Sequence, residues 1–250
     1  MKIANLRPHL RMCSVLCTVA LVTACGPRAR IPARPAPATL SGAVDDTSLG
    51  AQLARSLAPV LFLQRDEWYP LERVVAVVHP QRSMIAYHML WRDDVNGSWI
   101  PFTVPTDQEI MWVGYDSTLA PTYLWTYWHG RILHTPWQSR GPALVSVQWG
   151  KHGLLPLGIV ESTIPGLQKL NAFYLSTWLS LPDIWLGRLT RRGPMCFCRG
   201  YGRYREYTRP VILGDRLDAV LLTEDPNPAL EQVFGKPFSR KTRWPAVQPE

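Results

Sequence analysis

The stretch Ile85-Ala86-Tyr87-His88-Met89-Leu90-Trp91 decides the fold. On a pleated strand successive side chains point to opposite faces, so Ile85, Tyr87, Met89 and Trp91 share one face while Ala86, His88 and Leu90 share the other. Similar strand-like runs, separated by turn residues, occupy 74–79, 109–115, 122–129 and 144–149. Ala58-Pro59-Val60-Leu61-Phe62 opens the series behind a short helix over 48–57, for which Ser48 is the N-cap candidate. Two more strands follow, from about Tyr201 to Ile212 and over 217–222. The fold class is therefore mainly β, an antiparallel β-sandwich with one or two packed helices. A second helix is expected over 167–181, bracketed by Pro165-Gly166 and Pro182. There Leu167, Leu170, Tyr174, Trp178 and Leu181 recur at helical spacing. Lys169 alone supplies positive charge, which favours core packing over a membrane-surface helix.

Outward from the sandwich, the N-terminus reads as an address. Lys2, Arg7 and Arg11 precede a short apolar stretch that closes on Val22-Thr23-Ala24-Cys25, the pattern of a bacterial lipoprotein signal. The stretch is about half the roughly 20 residues that a spanning helix needs. Cleavage before Cys25 would leave its thiol for lipidation with palmitate-type chains. The Gly26 that follows is not the aspartate of inner-membrane retention, so the expected location is the outer membrane, periplasmic face. The chain thus divides into a signal peptide (1–24), a Pro/Arg/Ala-rich tether (25–47) that cannot build a core, a sandwich domain (48–235) and a basic tail (236–250).

The formal net charge is +8 over 250 residues, which favours anionic surfaces such as lipid headgroups or acidic envelope polymers. The arginines are dispersed without a nucleic-acid motif, so no nucleic-acid partner is expected. Of five cysteines, Cys13 and Cys17 leave with the signal and Cys25 carries the lipid. Cys196 and Cys198 remain, one residue apart: on a strand they stand about 6 to 7 Å apart, near the upper edge of disulfide geometry. Two thiols are too few for a zinc site. Eleven tryptophans, several at 91, 99, 112, 125, 128, 137 and 149, read as sandwich core, with a carbohydrate or lipid platform as the alternative.

The chemistry concentrates in acids. Asp93 and Asp94 end one strand, and Asp107 and Glu109 begin the next. Two residues apart on a strand, Asp107 and Glu109 share a face, and a hairpin brings Asp93 or Asp94 alongside. Converging carboxylates repel unless a cation binds, and Mg²⁺ or Ca²⁺ favours such oxygen ligands. Glu109 reads equally as a buried acid paired with an arginine such as Arg92, and the whole hairpin as a solvated turn.

Ala58-Pro59-Val60-Leu61-Phe62 followed by Arg65-Asp66-Glu67-Trp68-Tyr69-Pro70, then Tyr87 to Asp94, then Asp107-Gln108-Glu109 leading into Trp112-Val113, resembles the Vps62-like proteins and, more distantly, the necrosis-inducing (NPP1-like) proteins. His129-Gly130 and Trp149-Gly150-Lys151-His152-Gly153 resemble their later strand-end histidines. The resemblance spans roughly 57–156 and implies a β-sandwich with a cation held in an acidic pocket. It implies a ligand set of Asp107 and Glu109, with Asp93 or Asp94 as a third ligand and His129 or His152 contributing. The necrosis-inducing proteins carry Gly-His-Arg-His-Asp-Trp-Glu where this chain has Thr103-Val104-Pro105-Thr106-Asp107-Gln108-Glu109. Both histidines are absent, which speaks against cytolytic activity.

Three functions follow from these residues. One is a lipid-anchored envelope protein that binds a divalent cation and an anionic lipid or glycan. Another is a metal-assisted envelope hydrolase with His129 or His152 as general acid or base. The last is a structural or interaction lipoprotein without a small ligand. Neither Gly-x-Ser-x-Gly nor His-Glu-x-x-His occurs, which disfavours conventional serine and zinc hydrolysis.

Overall fold

The computed structural model describes residues 40–65, 67, 69–92, 107–128, 130–137, 141–150, 152–159, 207–235, 241 and 243–246. The chain divides into Met1–Ala38 and Thr39–Glu250, and every described residue belongs to the second unit. The signal sequence, Cys25, most of the tether, the expected helix over 167–181, Cys196, Cys198, Trp99, Asp93, Asp94 and His129 lie outside the described residues.

Two mixed sheets form the domain. The larger has the order β10-β2-β3-β4-β5-β6 and the smaller β8-β7-β1-β9. Their strands are β1 (Val60–Gln64), β2 (Leu71–Val78), β3 (Met84–Trp91), β4 (Asp107–Tyr115), β5 (Pro121–Trp128), β6 (Arg131–Pro136), β7 (Leu144–Val147), β8 (Leu154–Pro156), β9 (Tyr207–Ile212) and β10 (Ala219–Leu222). Strands β2 to β6 form an antiparallel meander. The expectation of antiparallel pairing holds there but not throughout. β1 pairs with β7 in parallel, and β10 lies parallel to β2. In both cases the paired strands are joined by long stretches of chain rather than by a hairpin, which leaves parallel pairing open to them.

The alternation in β3 positions the core. Ile85, Tyr87, Met89 and Trp91 join Leu61, Val145 and Leu154 in the core between the sheets. Met84 and Ala86 face the opposite way, into a second core with Trp112, Trp125 and Leu230. All eight residues of β3 are buried. Leu230 belongs to α2 (Asn227–Phe234), which covers the outer face of the larger sheet. Helix α1 (Leu49–Ser56) is capped by the Ser48 side chain, which accepts from the Ala51 N–H. It is tied to the core by the Tyr87 hydroxyl, which donates to the Ala54 carbonyl at 2.8 Å. Trp91, Trp112 and Trp128 are fully buried, so these rings are core rather than an exposed platform.

Four elements were not read from the sequence: β6, β8, α2 and the 3-10 helix Leu213–Arg216. Lys241 and Trp244 lie in the stretch read as a basic tail, and both are packed on the domain. The Trp244 indole donates to the Glu224 carbonyl at 3.0 Å and meets His79 edge to face at 4.8 Å.

Candidate functional site

Asp107 and Glu109 stand at the start of β4, opposite Trp91 and Met89 of β3. Their alternate spacing places them on one face, as the strand period requires. Glu67 approaches from the segment after β1, where its two oxygens accept from the Tyr69 and Gly150 N–H groups, each at 3.0 Å. His152 arrives from the turn between β7 and β8. That turn is closed by bonds between Gln148 N–H and the Gly153 carbonyl and between His152 N–H and the Gln148 carbonyl. Gly150 has φ 64° and His152 φ 52°, a left-handed conformation that costs a non-glycine residue about 1 to 2 kcal/mol.

These groups converge on one imidazole. His152 Nδ1 lies 2.9 Å from Asp107 Oδ2, and Nε2 lies 3.5 Å from Glu67 Oε1. The ring stacks on the Trp91 indole at 4.1 Å and 3°, with Tyr69 edge-on at 6.2 Å. The His152 side chain is 0% exposed, so solvent does not reach the ring. Burial by itself disfavours the imidazolium, but the hydrogen bonds and charges of Asp107 and Glu67 outweigh it and raise the pKa to about 9. Burial pushes the Glu67 carboxyl up, yet His152 and the two backbone donors bring it below its ordinary value.

Glu109 is held differently. Lys241 donates to Glu109 Oε1 at 3.2 Å and to the Gln108 carbonyl, with its ammonium 5.1 Å from the Tyr127 ring centre. Burial is the main cause that lifts Glu109 to a pKa of about 8, with Lys241 opposing and Asp107 reinforcing it. Its other oxygen, Oε2, is buried without a hydrogen-bond partner among the described residues. The Lys241 ammonium is disfavoured by burial, but the Glu109 and Asp107 charges hold its pKa above the usual lysine value.

Of the six expected ligands, the structure therefore brings together Asp107, Glu109 and His152, while Asp93, Asp94 and His129 lie outside the described residues. Glu109 is the buried, paired acid of the alternative reading, but its partner is Lys241. Arg92 pairs with Glu72 at 2.8 Å instead. Glu67 and Lys241 were not singled out from the sequence as site residues.

Among the described residues no group of three or more histidine, cysteine or acidic side chains is arranged to hold a metal ion. The donors that are present are engaged with one another. A doubly protonated imidazole has no lone pair for a metal, and Lys241 already engages Glu109. A dication does not fit beside these two charges. A pKa raised to about 9 favours the imidazolium form of His152, which donates a proton rather than accepting one.

No protein-family model matches the chain, and no curated protein matches it. Solved structures do. The chain is similar to NLPPya in complex with glucosamine, at 14% identity over 48% of this chain and 73% of that one, with a TM-score of 0.36. It is also similar to NLPPya in complex with mannosamine, at 15% identity over 50% and 73%, with a TM-score of 0.35. A structure described as a toxin fold for microbial attack and plant defense matches at 14% identity over 47% and 72%, with a TM-score of 0.35. These neighbours are necrosis-inducing, toxin-fold proteins. The more distant of the two resemblances drawn from the sequence, to the necrosis-inducing proteins, names the same group.

Proposed function

We propose that the chain is a lipid-anchored cell-envelope protein whose sandwich binds a hydroxyl-rich ligand of the glycan class at the start of β4. The observation that carries this reading is Glu109 Oε2, a buried carboxyl oxygen without a hydrogen-bond partner among the described residues. Burial favours the neutral form of Glu109 and raises its pKa to about 8, and its second oxygen can accept from a ligand hydroxyl. An unsatisfied buried polar atom costs about 1 to 3 kcal/mol, and a ligand hydroxyl that reaches it would recover that cost. Asp107 at 14% and Lys241 at 26% side-chain exposure leave the cluster open to a ligand on that side. The lipid anchor rests on the residues around Cys25, and the net charge of +8 supports residence among anionic envelope polymers.

The test is equilibrium binding of the full chain, purified in mild detergent, to glucose, glucosamine, mannosamine and N-acetylglucosamine at neutral pH. Glu109→Gln, which keeps a neutral hydrogen-bonding group, should bind like the parent. Glu109→Leu should bind at least about tenfold more weakly, the loss of one buried hydrogen bond. Absence of binding to every sugar, or equal affinity in Glu109→Leu, refutes the reading and leaves a lipoprotein without a small ligand.

A further inference from the structure

We infer that Lys241 is the chain's own cation for the β4 cluster: its ammonium stands where an exogenous cation would sit, and removing that charge turns the cluster into a divalent-cation site. The inference concerns the same residues as the glycan reading but does not depend on it.

The first support is how Lys241 is delivered. It comes from 132 positions beyond Glu109. Three residues on, Trp244 is fixed by its bond to the Glu224 carbonyl and its contact with His79. This lysine is therefore held to one place by its surroundings, unlike a solvated surface lysine.

The second support is what surrounds the ammonium: a carboxylate oxygen of Glu109, the Gln108 carbonyl and the face of Tyr127. Carboxylate and carbonyl oxygens are the donors a hard cation takes, and the ring adds cation–π attraction.

The third support is the oxygen left over. The ammonium engages only Glu109 Oε1, and Oε2 stays buried without a hydrogen-bond partner among the described residues. Ca²⁺ commonly takes both oxygens of one carboxylate, so Glu109 offers a divalent ion more than Lys241 uses. Charge agrees: removing Lys241 takes one positive charge from beside Glu109 and from the field of Asp107, which favours another cation in its place.

The experiment is thermal unfolding of the full chain in detergent, after chelation and then with millimolar Ca²⁺, Mg²⁺ or Mn²⁺. The wild-type midpoint should not move, and Lys241→Arg should match it. Lys241→Met should unfold at a lower temperature without added ion and gain about 5 °C when one of these ions is at a hundredfold excess over its Kd. Lys241→Met with Glu109→Gln should lose that gain. If Lys241→Met folds poorly, Lys241→Gln is measured in its place, and refolding with and without Ca²⁺ is compared. A wild type that responds as strongly as the variant overturns the inference. So does a lysine variant that none of the three ions stabilises or rescues.

Discussion

At the scale of single residues, His152 carries the most. It accepts a left-handed backbone so that its ring can lie on Trp91 with one nitrogen toward Asp107 and the other toward Glu67. Its pH dependence follows from linkage. With a folded pKa of about 9 against an ordinary 6.5, the stability it contributes is complete below about pH 6.5 and is lost as pH rises through 9. The full difference is of the order of 3 kcal/mol. Glu109, raised from 4.5 to about 8, slopes the same way, since the folded state holds a proton that the unfolded state releases. Glu67, lowered by its partners, acts oppositely: its contribution is present above about pH 4.5 and lost as pH falls. Thermal unfolding should therefore peak at mildly acidic pH and decline toward pH 9. His152→Asn, whose side chain tolerates the left-handed conformation, should lower the maximum and flatten the decline, leaving the Glu109 part. Unfolding midpoints across pH for both proteins check this, and equal slopes would remove His152 from the account. Asp107, Glu109 and His152 were legible because acids on a strand and a histidine in a glycine turn are local patterns. Lys241 was not, because nothing near it in sequence says that it is buried beside a carboxylate.

Among elements, β3 was the most legible, since apolar alternation with bulky rings has few other readings. Helix α1 was marked by its serine cap. The missed elements had weaker signals. β8 is only three residues long, and β6 alternates between half-buried and exposed positions and ends on proline. Helix α2 did carry a start signal in Pro228, which sits in its first turn. The contact between α1 and the 3-10 helix Leu213–Arg216 shows how closely elements fit. A Cβ on Gly214 would lie 2.7 Å from the Arg55 carbonyl oxygen, and Arg55 donates to the Gly214 carbonyl at 2.9 Å. Because the obstacle is backbone, Gly214→Ala should cost about 1 to 3 kcal/mol. Denaturant unfolding should show a lower midpoint at unchanged slope, and a neutral substitution would mean that the two elements separate freely.

For the whole molecule, the class of fold followed from strand periodicity, but the parallel pairs β1/β7 and β10/β2 did not, because periodicity says which face a residue takes and not which strand lies beside it. The anchor is argued from the N-terminal residues alone. Cys25→Ser should abolish incorporation of labelled palmitate and leave the precursor uncleaved. Processing of the wild type should stop in globomycin, and globomycin-insensitive processing would defeat the lipoprotein reading.

The pairing of β1 with Ile212, Val211, Pro210 and Arg209 of β9 sets an order on folding. A chain delivered N-terminus first frees β1 long before β9, while the β2 to β6 meander can zip up from neighbouring hairpins as it emerges. The smaller sheet must then close over a preformed β2 to β6 meander, at the entropic cost of a very long loop. Until β9 arrives, Leu61 and Leu63 have no finished sheet to lie in. The growing chain spends that interval with an open strand edge, and it is then that a holding chaperone would matter most.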